Sequence, residues 1–578
     1  MRAEIRQRVE RLLAEYPVWP RRTIADHFDL AAKRYADRPF ILTENREYSY
    51  GEVQQLAERL AGGLLKLGVK PREHVALLMG NYPEFIIILI ALAKIGAVCV
   101  PINTMLREQE LEFLLRDSDS VVLIVNDRLG KTDFIDILSR VLPGFGEQKL
   151  KEGRPFDGFP HLRHVVVFSP EGREYPGTLS LPTLYEMGDG FPAAERQRVQ
   201  RATAYPDETC YIMYTSGTTA MPKGALLTHD MLLRGTYASC LARAHQEGRR
   251  IYFPLPLYHI FAIEQGFLAV TFVGGAIIPH LQFTPQSALS LIQQHRAHDI
   301  LCVPSIMLAI LNCPELSNYD LSSLSAVLCA AAPAPLPLWQ RAKEELGLTE
   351  LGTGYGMTEV AGASALTWPG DDLEILTTRV GRLMYGGASG LPEFGGRNIE
   401  YKTVDPFTGR DLPPGTEGEL VCRGNIVTRG YYKRPKENSE LIDKDGWLRT
   451  GDLGIVHPDG LIQLTGRSKE MYKTSGENVV PKEIEEYIST HPKVNQVHVV
   501  GIPHKVMGDV GAAFIELKPG ETCDRKEIID FCRKGLAKFK VPRYVFFVSA
   551  EELPFTSTGK VQKFKLVEEA QRRVQRGD

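Results

Sequence analysis

Apolar strand patterns alternate with helical patterns through the first two-thirds of this 578-residue chain. The strand patterns lie at 74–79, 97–100, 121–125 and 164–168, and an apolar helix is predicted at 84–95, between the first two. Parallel strands need long crossover connections, which are usually helices that cover the sheet. The alternation therefore predicts an α/β fold with largely parallel sheets covered by helices.

The pattern changes twice in the last third of the chain. From Gly415 onward, short strand patterns at 418–422 and 461–464 are separated by turns. After Lys469 a smaller mixed unit is predicted, with a helix from Pro481, strands at 497–500 and 513–517, and a helix at 525–537. Because 578 residues exceed the usual size of one core, we predict a large domain over 1–468 and a small α+β domain over 469–578.

Composition excludes several classes of protein. The formal net charge of −3 provides no basic field for nucleic acid. Nine cysteines are scattered without a C-x-x-C pair, which argues against structural zinc or a disulfide framework and favours a reducing, cytoplasmic setting. Residues 1–13 mix basic and acidic side chains, unlike a signal peptide. The apolar segment 85–101 is interrupted by Lys94 and Gly96 and is short for a bilayer span, so a buried helix and strand are expected.

One loop is rich in hydroxyl groups and glycine. It reads Tyr-Thr-Ser-Gly-Thr-Thr-Ala-Met-Pro-Lys-Gly over 214–224. Small residues let backbone N–H groups approach an anion, the hydroxyls add donors, and Lys223 adds positive charge. The loop is therefore predicted to hold the phosphates of a nucleotide. It is not a Walker A motif, because Pro222 precedes the lysine and no Ser or Thr follows it directly.

Three later motifs accompany this loop. They are Tyr-Gly-Met-Thr-Glu at 355–359, Thr-Gly-Asp at 450–452 and Pro-Phe-Thr-Ser-Thr-Gly-Lys at 554–560. In this order and spacing the motifs resemble those of the adenylate-forming superfamily, which contains acyl-CoA synthetases, firefly luciferase and the adenylation domains of peptide synthetases. The resemblance extends from Phe28 to Lys565 and so covers nearly the whole chain.

The resemblance implies an architecture and a nucleotide site. The large domain would contain parallel-rich sheets covered by helices plus a distorted β-barrel, and the small α+β domain would be mobile. Ala220 stands where the family usually has glycine, so a negative φ is expected there. The residues implied to bind ATP or AMP are Thr215, Ser216, Gly217, Thr218, Thr219, Lys223, Ala331, Ala332, Pro333, Gly354, Tyr355, Gly356, Met357, Thr358, Asp452, Arg467 and Lys560.

The catalytic residues that the resemblance implies are few. Thr358 would donate to a phosphate, and Glu359 together with Thr215 would hold Mg²⁺, which prefers one or two carboxylates plus phosphate oxygens. The ammonium group of Lys560 would lie between the incoming carboxylate and the α-phosphate and offset their repulsion. His259 would face the carboxylate or line the acyl pocket.

The remaining implied roles concern adenosine, CoA and the hinge. Tyr355 would stack on adenine, and Asp452 would accept hydrogen bonds from both ribose hydroxyls. Lys469 occupies the hinge position of the family. The small domain must present two different elements to one acyl-AMP, so we expect it to rotate about this residue between the half-reactions. CoA would contact Lys473, Ser475, Gly476 and Glu477.

The acyl pocket is predicted from segments 258–271 and 360–366. They are rich in Phe, Ile, Ala and Gly and contain no Arg or Lys, which favours an apolar tail over a second carboxylate. Glu264 and Gln265 add polarity that the sequence does not place. The residues implied to line the pocket are His259, Ile260, Ala330 and Gly356.

The resemblance implies an AMP-forming acyl-CoA ligase that uses ATP, Mg²⁺ and CoA on a medium- to long-chain fatty acid. An aromatic or alicyclic acid, or a non-CoA acceptor, stays open as an alternative. Amino acids are disfavoured because segment 258–261 offers no Asp to an ammonium group, and luciferase chemistry has no positive residue here. A sensor without turnover would have lost Glu359, Asp452 or Lys560. We expect small-molecule partners, no membrane span, and either a monomer or a homodimer.

Overall fold

The computed structural model describes residues 3–147, 154–215, 222–474, 477–504, 507–555 and 561–576, with the backbone alone at 477 and 478. The chain divides into two compact units, Met1–Glu400 with Arg423–Gly446, and Tyr401–Cys422 with Trp447–Asp578. Each unit has its own buried apolar clusters. The boundary expected at Lys469 lies within the second unit, between its two sheets, and the division into domains at that residue stays a prediction.

The first unit contains two seven-stranded sheets, each with six parallel strands and one antiparallel strand at an edge. The first sheet has the order Glu350–Gly352, Ala326–Cys329, Asp299–Cys302, Arg250–Phe253, Ala276–Pro279, Pro39–Leu42 and Glu47–Ser49. The second has the order Lys223–Thr228, Thr209–Thr215, Val98–Pro101, His74–Leu78, Ser120–Asn126, His164–Phe168 and Leu179–Ser180. The four strands predicted in the first third are neighbours in this second sheet, so the parallel α/β prediction is confirmed.

Helices cover these sheets. Pro83–Ile95 is buried on all sides except at Glu84, as the continuous apolar sequence predicted. No helix in the described part of the chain is long and apolar enough to cross a membrane. The other α-helices of this unit are Ala3–Glu15, Ile24–Arg34, Tyr50–Lys66, Glu108–Asp117, Phe134–Val141, Leu181–Asp189, Ala193–Ala202, His229–Ala242, Ile260–Ala262, Ala269–Thr271, Pro285–Gln294, Pro304–Leu311, Leu336–Glu345, Leu373–Thr378 and Pro435–Leu441.

The second unit contains two further sheets. The strands Ile399–Val404, Gly418–Gly424, Leu448–Val456 and Ile462–Arg467 form a four-stranded sheet, and the strands described there close no barrel, in contrast to the expected distorted barrel. The five-stranded sheet consists of Glu477–Val479, Tyr472–Thr474, Gly508–Leu517, Val494–His504 and Tyr544–Phe547. Its helices are Pro481–Ser489, Arg525–Gly535 and Lys563–Arg576, so the predicted α+β character is confirmed.

One edge of the first sheet brings several predicted site segments together. Parallel strands have their carboxyl ends at the same edge, and ligands bind outside that edge in open α/β sheets. Segment 254–259 follows strand Arg250–Phe253, and segment 330–333 follows strand Ala326–Cys329. A small antiparallel sheet of Gly354–Met357, Gly362–Leu366 and Arg382–Leu383 begins directly after the next strand. The segments predicted to contact the acyl group and adenine, together with the segment that contains Thr358, therefore leave the first sheet on the same side, whereas the predicted phosphate loop at 214–224 belongs to the second sheet.

Candidate active site

The predicted phosphate loop connects two antiparallel strands, Thr209–Thr215 and Lys223–Thr228. Thr215 and Lys223 face each other in register, and Thr215 Oγ1 donates to the Lys223 carbonyl oxygen at 3.4 Å. This pairing fixes the two ends of the loop side by side. Four predicted phosphate contacts lie outside the described residues: Ser216, Gly217, Thr218 and Thr219.

Tyr431 connects this strand pair to the predicted magnesium ligand. The Tyr432 N–H donates to the Gly224 carbonyl oxygen at 2.8 Å, so the chain here runs beside the strand that begins at Lys223. The Lys223 ammonium group lies 5.7 Å from the centroid of the Tyr431 ring, within reach of a cation–π contact. The Tyr431 hydroxyl in turn donates to Glu359 Oε1 at 2.6 Å. The lysine predicted to bind phosphate and the carboxylate predicted to bind the metal therefore contact the same tyrosine.

Glu359 lies in a short 3₁₀ helix, Thr358–Val360, and is 6% exposed. Its carbonyl oxygen accepts from the Thr428 N–H at 2.7 Å, which fixes the backbone. Burial, followed by the Glu359 carboxylate, raises the pKa of Tyr431 well above its ordinary value, so the tyrosine acts as a donor. An oriented carboxylate beside hydroxyl groups is a hard oxygen donor set of the kind that Mg²⁺ takes together with phosphate oxygens.

The segment between Tyr355 and Glu359 lies very close to the strand that follows it. A Cβ at Gly356 would lie 2.0 Å from the Gly362 carbonyl oxygen, so only glycine fits there. Tyr355 is buried, Thr358 is partly exposed, and the Tyr355 carbonyl oxygen accepts from Ser364 Oγ at 3.2 Å. The backbone that is inferred to face the nucleotide is therefore held by strand Gly362–Leu366.

The small-residue segment at the sheet edge has an unusual backbone. Ala330 is buried, whereas Ala331, Ala332 and Pro333 are exposed. Ala331 has a φ of +71°, a left-handed conformation that costs about 1–2 kcal/mol for a residue with a Cβ. Strain of this kind collects at functional sites, which is compatible with the predicted contact to adenine.

His259 is the N-cap of the helix Ile260–Ala262, with Nδ1 accepting from the Phe261 N–H at 3.3 Å. This bond fixes the ring at the sheet edge, where the predicted acyl pocket begins. The helix continues as a π-helical segment, Ile263–Leu268, whose six residues are all buried. Such irregular turns are frequent at functional sites.

Glu264 and Gln265 lie within this π-helical segment, and the structure places the polarity that the sequence left unassigned. Glu264 is fully buried and accepts from the Ser239 hydroxyl, the Gln265 amide at 2.8 Å and the Ala363 N–H at 3.1 Å. Burial raises the pKa of Glu264 to about 7. The Ala363 bond joins the two segments from which the acyl pocket was predicted.

In the second unit, Asp452 and Arg467 face each other on adjacent strands. Arg467 Nε lies 3.1 Å from Asp452 Oδ1, and Thr450 Oγ1 accepts from the Asp452 N–H, also at 3.1 Å. Gly451 has a φ of +73°, which provides the turn that presents the aspartate. The two residues expected to reach the nucleotide are therefore neighbours within this unit.

The predicted hinge and CoA residues belong to the same unit. Lys469 lies in the 3₁₀ turn Ser468–Glu470 directly after strand Ile462–Arg467. The Lys473 ammonium group lies 5.2 Å from the centroid of the exposed Phe407 ring. Glu477 begins strand Glu477–Val479. Ser475, Gly476 and Lys560 lie outside the described residues.

The roles of two residues of this site were not predicted from the sequence. Tyr431 lies outside every recognised motif, and only the aromatic pair at 431–432 could have drawn attention to it. Glu264 was noticed as a polar residue in an apolar segment, but helical periodicity does not reveal a π-helical turn. The roles of both residues depend on contacts with residues that are distant in the sequence.

Comparison with known proteins defines the class. The chain has the two-unit fold and the nucleotide-site motifs of an adenylate-forming ligase. Residues 28–432 match the AMP-binding enzyme family, and residues 483–560 match the AMP-binding enzyme C-terminal domain. The chain belongs to the AMP-binding enzyme family, in its acyl-CoA synthetase branch, and the superfamily inferred from the motifs is confirmed.

Three relatives illustrate the similarity. A Bacillus subtilis protein, named provisionally as an acyl-CoA synthetase, is 33% identical, with 94% of this chain and 96% of the relative covered. A mitochondrial medium-chain acyl-CoA ligase of Mus musculus is 31% identical, with 96% and 88% covered. The crystal structure of an anthranilate CoA ligase in complex with anthranoyl-AMP has a TM-score of 0.80 at 27% identity, with 96% of this chain and 99% of that chain covered.

Proposed function

We propose that this AMP-forming acyl-CoA synthetase activates a carboxylic acid with an apolar tail, a medium- to long-chain fatty acid first. The carboxylate attacks the α-phosphate of ATP, pyrophosphate leaves, and an acyl-AMP forms. The CoA thiol then attacks the acyl carbon and AMP leaves. The name of the mouse relative, a medium-chain acyl-CoA ligase, supports this substrate class.

The observation that carries the proposal is that protein donors already satisfy the Glu264 carboxyl group. This buried carboxyl group accepts from Ser239, Gln265 and Ala363, so it is already satisfied without a charged ligand. The rest of segments 258–271 and 360–366 contains no Arg or Lys that could meet a second carboxylate. A charged tail would thus be desolvated without a partner, whereas an alkyl tail would gain by burial.

The residues in the first unit have defined roles in the proposal. The Lys223 ammonium group holds phosphate oxygens, and Thr358 donates to the α-phosphate. The Thr215 hydroxyl, whose proton goes to the Lys223 carbonyl oxygen, offers its lone pairs to the metal. Glu359, oriented by Tyr431, would hold Mg²⁺, and the cation would neutralise phosphate charge that opposes attack by a carboxylate. This assignment rests on the contacts that link Lys223, Tyr431 and Glu359.

Residues of the second unit are proposed to contact the ribose and CoA and to bring a positive charge to the reacting groups. Asp452, paired with Arg467, accepts from the ribose hydroxyls. Lys560 brings a positive charge to the reacting carboxylate and the α-phosphate, and Lys473 lies on the path of CoA. Because these lysines serve successive steps, we propose that rotation about Lys469 exchanges them.

An aromatic acid with a hydrogen-bond donor is the second candidate. Gln265 Oε1 is buried and has no hydrogen-bond partner in the described part of the chain. A buried acceptor without a donor is costly, and an amino or hydroxyl group on the substrate ring would satisfy it. The solved anthranilate CoA ligase, with a TM-score of 0.80, supports including such acids.

The test is ATP–pyrophosphate exchange followed by CoA addition. The panel contains butyrate, octanoate, palmitate, benzoate, anthranilate and succinate. We expect the highest kcat/KM with octanoate or palmitate, none with succinate, and thioester formation when CoA is added. Preference for anthranilate over benzoate and octanoate would replace the leading candidate by the second. Exchange with succinate alone would overturn both.

A further inference from the structure

Glu264 is a fully buried carboxyl group whose hydrogen bonds come from neutral donors, with the Arg243 guanidinium group acting on it electrostatically without a hydrogen bond. Its bonding partners come from three elements: Ser239 from helix His229–Ala242, Gln265 from the same π-helical segment, and Ala363 from strand Gly362–Leu366. Gln265 Nε2 also donates to Ser239 Oγ at 2.8 Å, which closes the cluster. Burying a carboxyl group among neutral donors is costly, so its retention calls for a reason beyond packing.

The start of strand Gly362–Leu366 lies very close to the Glu264 carboxyl group. Gly362 has a φ of +116°, and a Cβ there would lie 2.7 Å from Glu264 Oε2. The next residue, Ala363, donates its N–H to that same oxygen. Both features place the strand start against the carboxyl group, and a side chain at Gly362 would separate them.

The same strand start determines the position of the segment inferred to face the phosphate. Gly356 is paired with Ala363, and Met357 with Gly362. The Gly362 carbonyl oxygen lies 2.0 Å from the position of a Cβ at Gly356, so the two strands fit without spare room. Thr358 follows directly. A chain of contacts therefore runs from Glu264 through Gly362 and Ala363 to the backbone before Thr358.

We infer that Glu264 is a positioning residue for the acid: it anchors the start of strand Gly362–Leu366 and thereby sets the distance between the acyl pocket and Thr358. This inference rests on the proposed function, since it assumes that the acid lies between these two segments. Displacing the strand moves the carboxylate relative to the α-phosphate, and small misplacements of reacting atoms cost large factors in rate. Asp452, the residue proposed to bind the ribose, belongs to the other unit.

Two substitutions distinguish a positioning role of Glu264 from a role in packing alone. Glu264→Gln keeps a carbonyl oxygen for the Ala363 N–H, and the Ser239 hydroxyl can turn to accept from the new amide. Glu264→Leu fills a similar volume without an acceptor. In pyrophosphate exchange with the best acid of the panel, we expect Glu264→Leu to lower kcat/KM for the acid by about 100-fold and to raise the acid KM. The KM for ATP should change by less than about three-fold, and Glu264→Gln should stay within about five-fold of the wild type.

Three outcomes would overturn the positioning role of Glu264. They are equal losses of activity in the Gln and Leu variants, a parallel rise in the KM values for ATP and acid, and wild-type kinetics in the Leu variant. If Glu264→Leu does not fold, Ser239→Ala decides: a rise of at least about three-fold in the acid KM alone supports the role, and no change overturns it. A wild type that prefers a charged acid would refute the proposed substrate, yet the ratio of the Gln and Leu variants on that acid would still test the anchor.

Discussion

The Tyr431 hydroxyl donates to Glu359 Oε1 across 2.6 Å. Because the tyrosine ring also lies beside the Lys223 ammonium group, one side chain orients the predicted metal ligand and contacts the predicted phosphate ligand. A carboxylate held in this way has fewer orientations to lose when a cation binds. Tyr431 is therefore expected to orient the metal ligand Glu359, as hydrogen-bond partners of metal ligands usually do.

Tyr431→Phe removes the hydroxyl and keeps the ring. We expect the Mg²⁺ concentration for half-maximal pyrophosphate exchange to rise by about ten-fold, since loss of such partners typically costs 10–100-fold. The matched control is Tyr432→Phe, whose hydroxyl donates to Asp119 at 2.9 Å. An equal effect of both variants would show that Glu359 is not oriented by Tyr431.

Asp452→Asn tests the ribose contact. A hydrogen bond to a charged group is worth about 2 kcal/mol, so the KM for ATP should rise by about 30-fold. The unfolding temperature should hardly change, because Arg467 is half exposed and can be solvated. Asp411→Asn, in an ion pair with Lys402 in the same unit, is the control. An unchanged KM for ATP would remove Asp452 from the nucleotide site.

Sequence pattern predicted the parts of this protein that depend on local periodicity. The strands at 74–79 and 121–125 and the buried helix at 84–95 were predicted almost to their ends, because apolar runs of that length have few alternatives. Motif resemblance predicted site roles for Lys223 and Glu359, which both contact Tyr431 in the structure. It did not reveal Tyr431, since the bond to Glu359 joins residues 72 positions apart. Glu264 was hidden for the same reason, as its acceptor role depends on a strand 99 residues away.

Glu264 should make stability depend on pH. Burial raises the pKa of Glu264 from 4.5 to about 7, so the folded state retains a proton that the unfolded state loses. The stability contributed by the protonated form is complete below pH 4.5 and is lost as the pH rises to about 7, by about 3 kcal/mol in all. Buried histidines such as His229, with a pKa lowered to about 4, act in the opposite sense at acid pH. The measurement is therefore the difference in unfolding free energy between wild type and Glu264→Gln from pH 4.5 to 7.5, and a constant difference would contradict the prediction.

Asp299→Asn should destabilise the first unit without affecting substrate binding. The Asp299 carboxylate is fully buried and accepts from Arg243 and Arg249, at 2.7 and 2.8 Å. Removing one partner of a buried ion pair typically costs 3–5 kcal/mol, so a large shift of the urea unfolding midpoint is expected. The residue begins its strand, at the edge opposite the site, so KM values should stay the same in the folded fraction. Asp320→Asn, at an exposed ion pair with Arg296, is the control and should unfold like the wild type. A urea unfolding midpoint of Asp299→Asn close to that of the wild type would show that these ion pairs contribute little to stability.

Lys560→Ala should separate the two half-reactions. Adenylation brings a carboxylate towards the negatively charged α-phosphate, and a positioned cation offsets that repulsion only in this step. Pyrophosphate exchange should therefore be lost, whereas thioester formation from supplied acyl-AMP and CoA should be largely retained, because the proposed rotation about Lys469 replaces Lys560 by the CoA-facing loop. Lys565→Ala, which removes another lysine five residues further on, is the control and should leave both steps intact. Equal loss of both steps in Lys560→Ala would contradict the rotation, since it would mean that a single arrangement of residues 469–578 serves the whole reaction.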